Sequence, residues 1–472
     1  MDAVLPTVSL RVLMSMRPRF GHDASNTLAI YLIGCQYSVD TVRQSPSNLI
    51  ESDRRVARAW RTLAILTGAL TLSYVDRYLI AVCVQPIKTE FRLSDSAMGI
   101  LTGFAFSAFY ALFGLPIARL SDRGWRREVI TWSIAVWSTM TALTGLVQNF
   151  AQMSVARFGV GAGEAGVFPT SQAMVSEVFP AARRTTALAI LGAGGSLGLL
   201  IAFALGSWLE GRAGWRMTFL VMALPGLPLS LVAFCRLPRS VRLASHANAG
   251  LCEPLRLLWS ERDFRHLPFA QSALVILLFG QAQWLPAFFE RSFAASRVAI
   301  GTILGVSQAL AIIAGMVLGG VLADRLRQRY SRGPLLLALL SIVAAGAPIA
   351  LLYLTHQVRA AYSFAAIASF LLSVPAGPIA AHLQIIFPPH LRATASSGAL
   401  VIASLLGLGG GPLIIGGLSD LLRDRFGQES LRYALMTTAC FAILWATTHL
   451  VSMLTSSAAR FDARTAELST RD

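Results

Sequence analysis

Few folds are open to a chain that carries twelve apolar runs, each near the roughly 20 residues that cross a bilayer core as a helix. Such runs lie at about 61–84, 97–118, 129–147, 151–175, 186–209 and 217–234, and again at 267–289, 300–323, 335–354, 360–387, 394–418 and 433–455. Composition agrees. Of 472 residues, 55% are hydrophobic and 14% charged, where soluble domains carry about a quarter charged residues. The expectation is an all-α membrane protein with twelve transmembrane helices in two six-helix pseudo-repeat halves.

A net charge of +16 raises the question of nucleic acid. The arginines answer it, because they fall in short clusters between the apolar runs, as the positive-inside rule requires. Arg119, Arg123, Arg126 and Arg127 follow the second run, Arg183 and Arg184 the fourth, and Arg325, Arg327, Arg329 and Arg332 the eighth. The alternate loops are poorer in arginine. Both termini and the central linker are therefore expected on the cytoplasmic side of the cell's inner membrane. The loop 420–432 is an exception, with mixed charge that only local pairing accounts for.

The expected organisation is an N-terminal cytoplasmic extension over 1–58, read as disordered, a six-helix bundle over 59–236, and a cytoplasmic linker over 237–266. A second bundle over 267–455 and a cytoplasmic tail over 456–472 complete it. The extension's apolar patch, 28–35, is too short to span, and its arginines precede no apolar core and cleavage site of a secretory signal. The 5 cysteines are scattered without a C-x-x-C pair, so neither a disulfide framework nor a zinc site is expected. No cofactor or metal is expected.

One signature occurs twice. Ala118-x-x-x-Asp122-Arg123-x-x-Arg126-Arg127 closes the second run, and Gly320-x-x-x-Asp324-Arg325-x-x-Gln328-Arg329 closes the eighth. The same signature at the same place in each set marks an internal parallel repeat. A carboxylate just past one helix can rest at the N-terminus of the next, held there by the arginines; stop-transfer charge plus a turn is the plainer reading of a single copy. Asp122, Arg123, Arg126, Asp324 and Arg325 are candidate gating residues, and Glu177 and Arg183 read as loop scaffolding beside them.

The fourth run breaks the apolar rule. It holds Arg157 and Glu164, seven positions and about 10 Å apart on one helical face. A charge at mid-membrane costs about 2.5–3.5 kcal/mol even on lenient scales, so it persists where it has a partner or a wet cavity. Gly159, Gly161, Gly163 and Gly166 remove side chains around the pair and let neighbouring helices approach. In the first run, Asp76 lies at a depth within one turn of Arg157, which permits pairing if the two helices are neighbours.

Burial raises a carboxyl pKa and a nearby guanidinium lowers it. A change in the Asp76–Arg157 distance would therefore change proton affinity. On this reading Asp76 is the main protonatable group, Arg157 its switchable partner and Glu164 a second proton or substrate contact. The rival is a static salt bridge that fixes helix register. Arg77 either snorkels or lines the cavity. Tyr74 sits one turn before it. Gln281, Gln283 and Trp284 in the seventh run, and His382 and Gln384 in the tenth, are candidate substrate contacts or ordinary packing residues.

With these motifs the sequence resembles the major facilitator superfamily, and within it the Spinster family. Tyr74-Val-Asp-Arg77 and Arg157-x-x-Val160-Gly-x-Gly-Glu164-Ala carry the narrower likeness. Phe179-Pro-x-x-Arg183-Arg184, Trp284-Leu-Pro-Ala-Phe288 and Gly407-Leu-Gly-x-x-Pro412 support it over roughly 60–455. Ala118 stands where the first loop signature usually has glycine. The fifth run, Gly192-Ala-Gly-Gly-Ser-Leu-Gly198, lacks the Gly-Pro element of drug/proton antiporters. The resemblance implies a proton-coupled secondary transporter working by alternating access, with Asp76, Arg157 and Glu164 in coupling. It implies a lysophospholipid or sphingoid phosphate as substrate, its anionic head facing Arg77 or Arg157.

A small organic anion or sugar acid is the alternative substrate, and a non-transporting receptor or channel the alternative class. An enzyme is not expected. Gly161-Ala-Gly-Glu-Ala-Gly166 matches a dinucleotide fingerprint and Gly194-Gly-Ser-Leu-Gly198 a nucleophile elbow, but both lie in apolar helical runs without the flanking strand each motif needs. The expected partners are the bilayer and a small-molecule or lipid substrate, with no nucleic acid, and the expected state is a monomer.

Overall fold

A computed structural model of the chain describes residues 46–239, 259, 262–330, 332–379, 382 and 392–469. Two units are distinguished, Met1–Trp60 and Arg61–Asp472. The described part of the first, 46–60, is helical. Residues 46–58 of the extension read as disordered thus belong to a helix that starts at Pro46 and runs to Val82; the rest of the extension lies outside the described residues. The last helix runs from Ser430 to Ser469, into the segment expected as the tail.

Every described element is helical, with no strand among the described residues. Eight stretches are long and apolar enough to cross a membrane. Three of them hold two spans each. The left-handed Gly124 (φ 92°) separates the second span, Ala105–Leu120 and the turns before it, from the third, Arg126–Thr144. Gly214 (φ 76°) likewise breaks Ala181–Ala223 into a fifth span and the start of a sixth that ends in Gly226–Arg236. Positive φ is the region that glycine enters at no steric cost. The third double stretch divides at Gly427 into the eleventh span, ending in Gly410–Phe426, and the twelfth.

The fourth span is the one that length alone overlooks. It consists of Phe150–Glu164 and Val167–Val178, interrupted immediately after Glu164. The seventh comprises Arg262–Val275, Ile276–Gly280 and Gln281–Phe293. The eighth, ninth and tenth are Arg297–Arg329, Gly333–Leu354 and the helix from Val358–Ser373 onward. Twelve spans result, as expected.

The molecule's polarity is that of a protein solvated by lipid. Trp132, Leu231, Leu310, Phe441 and Leu444 stand exposed on its outside, while Asp76, Arg77, Arg157 and Glu164 are buried. Three spans carry a wide π turn: Ile100–Phe104 in the second, Ile276–Gly280 in the seventh and Ser404–Gly409 in the eleventh. Such turns recur at functional sites. Here they meet along the seam between the halves. A Cβ on Gly103 would lie 2.7 Å from the Leu408 carbonyl oxygen, so the second and eleventh spans touch through backbone.

Candidate functional site

Glu164 is fully buried, and its Oε2 accepts two hydrogen bonds from the first span: 2.7 Å from Ser73 Oγ and 2.6 Å from Arg77 Nε. Ser73 and Arg77 are one helical turn apart and share a face. Asp76, one residue from Arg77, is turned about 100° away on the same helix. That turn decides the pairing. The ion pair joins Arg77 to Glu164, and among the described residues no ion pair joins Asp76 to Arg157, the partners that depth alone suggests. Asp76 remains inside the cluster, interacting electrostatically with Glu164, Arg157 and Arg77.

The Arg77 guanidinium is boxed by aromatic faces, 5.0 Å from the Tyr74 ring, 5.0 Å from Phe106 and 4.9 Å from Tyr110. Arg157 looks at the same Phe106 ring from 5.8 Å. A desolvated cation over a ring gains about 2 kcal/mol, which offsets part of the several kcal/mol that burying each ion costs. The close fit depends on Gly161, where a Cβ would fall 2.2 Å from the Phe106 carbonyl oxygen. That contact lays the fourth span against the second, with Arg157 and Glu164 on either side of it.

The cluster is not closed. Arg157 is 1% exposed, yet its Nε and Nη1 have no hydrogen-bond partner, nor has Glu164 Oε1. Two arginines and two carboxylates share one buried volume with only one ion pair made between them. Small displacements can therefore exchange partners without first breaking a saturated network.

The other candidates sort by what they touch. Gln281 donates to the Leu435 carbonyl and accepts from Tyr353, and Trp284 donates to the Pro412 carbonyl at 3.1 Å, so both are engaged in helix packing within the second half. His382 is half-buried, and Gln384 lies outside the described residues. In the first loop signature Arg126 pairs with Glu177 at 2.5 Å. Asp122, Arg123, Asp324, Arg325 and Arg183 are exposed, and neither Asp122 nor Asp324 makes an ion pair among the described residues. Arg126 thus holds Glu177 from the end of the fourth span, while Arg127 pairs with its neighbour Glu128.

A second charged cluster was not visible in the sequence. At the end of the bundle away from the termini, Arg291 of the seventh span grips Asp95 of the second in a bidentate pair at 2.7 and 2.8 Å. Lys88 and Ser419 also bond to Asp95. Asp420 of the eleventh span accepts the backbone N–H groups of Asp95 and Ser96 at 3.0 and 2.7 Å. It thereby caps the first turn of a helix in the other half, where a carboxylate is favoured. At the same end Arg297 joins Glu210 across the halves at 2.8 Å and Glu290 at 2.9 Å. Of the mixed charge in 420–432, Asp420 belongs to this clamp, while Arg432 pairs locally with Glu429.

Comparison with known proteins places this architecture. The Major Facilitator Superfamily family model matches residues 66–412. An MFS-type efflux pump of Mycolicibacterium smegmatis is 31% identical over 80% of this chain and 89% of its own. A sphingosine-1-phosphate transporter of Danio rerio is 24% identical over 80% of this chain and 81% of its own. Among solved structures, a bacterial homolog of the human lysosomal transporter Spinster, in an inward-facing and unoccupied conformation, superposes with a TM-score of 0.74 and 25% identity, covering 84% of this chain and 97% of the other. With twelve spans in two halves, buried ions and these relatives, the chain belongs to the Major Facilitator Superfamily, is Spinster-like, and is a multi-pass membrane transporter rather than an enzyme.

Proposed function

We propose that this chain is a proton-coupled secondary active transporter working by alternating access, with an amphiphilic lysolipid or related anionic lipid as substrate. The carrying observation is the half-closed cluster of Asp76, Arg77, Arg157 and Glu164, buried in the first half with unpartnered atoms on Arg157 and Glu164. Protonating a carboxyl here removes one charge from a balanced set and releases an arginine to a new partner. The second partner of that exchange is either the other carboxylate or an anionic headgroup. Protons are the energy source and no cofactor takes part; the sequence contains no G-x-x-x-x-G-K-[ST] loop for ATP.

Alternating access draws support from the clamp. The polar bonds of Asp95, Asp420 and Glu210 to the opposite half lie at the end away from the termini. We read that end as the outer face and the state as inward-facing, with both termini cytoplasmic, in the inner membrane, and with the monomer as the working unit. The lipid substrate draws support from the aromatic box beside two guanidiniums and from the sphingosine-1-phosphate transporter among the relatives. A thermal-shift screen of the purified protein against lysolipids and small organic acids, at two pH values, tests it. A lysolipid should raise the melting temperature by an amount that depends on pH. Stabilisation by organic acids alone would replace the substrate class.

A further inference from the structure

Gln283 adjoins the buried ion pair without belonging to either of its helices. It lies on the seventh span, in the second half, and is fully buried. Its Nε2 donates a 2.7 Å hydrogen bond to the backbone carbonyl of Arg77, in the first half. The guanidinium of that same residue holds Glu164 at 2.6 Å. A helical carbonyl has two lone pairs and spends one on the amide four residues on; Gln283 takes the other. Its Oε1 has no partner, so the carbonyl bond is the side chain's one hydrogen bond.

The neighbours make the arrangement specific. Gln281 and Trp284 bond to Leu435 and Pro412, both in their own half. Two positions along a helix turn the side chain by about 200°. Gln281 and Gln283 therefore face opposite ways, one into its half and one across the seam. The segment begins directly after the π turn Ile276–Gly280, which shifts the register of everything that follows it.

We propose that Gln283 is a positioning residue that transmits the state of the Arg77–Glu164 pair to the second half. The inference rests on the proton-coupling reading above. A bond to the Arg77 side chain would be lost whenever the guanidinium changed partner. A bond to its backbone carbonyl survives that exchange and follows the displacement of the first span that accompanies it. The ionisable groups around the pair are Tyr74, Asp76 and Tyr78 on the first span, Tyr110 on the second and Arg157 on the fourth. A proton arriving among them moves Arg77, and through its carbonyl Gln283 moves the seventh span. Arg291, on that same span, closes the clamp on Asp95. One helix thus meets both charged clusters.

The test measures the distance between the two halves, by double electron–electron resonance between spin labels at the clamp end, as a function of pH in nanodiscs. The chains compared are wild type, Gln283→Leu, Gln283→Asn, Gln308→Leu and Glu164→Gln. Asparagine keeps an amide but is one methylene too short for the carbonyl. Gln308 is an equally buried glutamine of the second half, bonded to Ser369 in that half, and controls for loss of a buried amide. Both Gln283 variants should fold, elute as wild type does and lose the pH response of the inter-half distance, while Gln308→Leu keeps it. A wild-type pH response in the Gln283 variants, with Glu164→Gln unresponsive, overturns the link and leaves the proton reading standing. A wild-type response in Glu164→Gln also overturns the link, since Gln283 would then transmit nothing that depends on that pair, and it leaves the proton reading to be decided at Asp76. Equal loss in Gln308→Leu and Gln283→Leu assigns the effect to packing and likewise overturns the link.

Discussion

The two charged clusters of this protein are built to opposite rules. At the clamp, both oxygens of Asp95 are occupied, Oδ1 by Lys88 and Arg291 and Oδ2 by Arg291 and Ser419. In the buried cluster, Glu164 Oε1 and two nitrogens of Arg157 have no partner. The clamp joins elements of different halves, whereas the cluster lies within the first half. The filled bonds of Asp95 hold one arrangement of the halves across the seam, although Glu210 of the same clamp keeps Oε2 without a partner. Unsaturated charges inside one half supply the spare bonding capacity that the proposed proton coupling needs. The difference teaches that the same residue types serve as latch and as sensor, according to whether their hydrogen-bonding capacity is filled.

Three substitutions try to break this contrast, beginning with the largest effect. Arg77→Ala leaves Glu164 buried without its cation, and should destabilise the protein by about 3–5 kcal/mol, seen as a large fall in melting temperature in detergent. An unchanged melting temperature would mean that Glu164 is already neutral. Arg291→Ala removes the bidentate grip on Asp95 but leaves Lys88 in place. It should favour opening of the clamp end by about 2 kcal/mol, roughly 30-fold in population, read as faster labelling of a cysteine placed in the seam.

The smallest effect belongs to Glu90. It lies at the same end as the clamp, but its partners Trp215 and Arg216 belong to its own half. Burial alone would raise its pKa, but the hydrogen bonds from Arg216 and Trp215 outweigh burial and hold it below the ordinary glutamate value. A depressed carboxyl pKa contributes stability that is present above the unfolded value of about 4.3 and lost as pH falls through the folded one. Glu90→Gln should therefore flatten the acid limb of the melting-temperature profile while leaving access at the clamp end unchanged. Any change in that access would blur the distinction between bonds within a half and bonds across the seam.

How much of this was legible in the sequence follows from distance along the chain. The spans were readable because lipid imposes length and polarity on each run separately. Arg157 and Glu164 were readable because two ions seven residues apart in an apolar run need a local explanation. Their partners were not. Asp76 and Arg77 are adjacent, both ionisable and equal in depth, and only the rotation of the first helix decides which meets Glu164. Likewise, a polar glutamine in the seventh span points into its own half at position 281 and across the seam at 283, a difference that composition does not carry. The clamp was least legible, since its partners across the seam stand 87 to 325 residues apart and its charges look like loop solvation.

The central claim is that the buried carboxylates of the first half convert a proton gradient into transport. Uptake of radiolabelled substrate by proteoliposomes carrying Asp76→Asn, measured both as counterflow and as accumulation against a pH gradient, tests it most directly. The account predicts that counterflow persists and gradient-driven accumulation disappears. Accumulation at the wild-type level, with wild-type pH dependence, would contradict it.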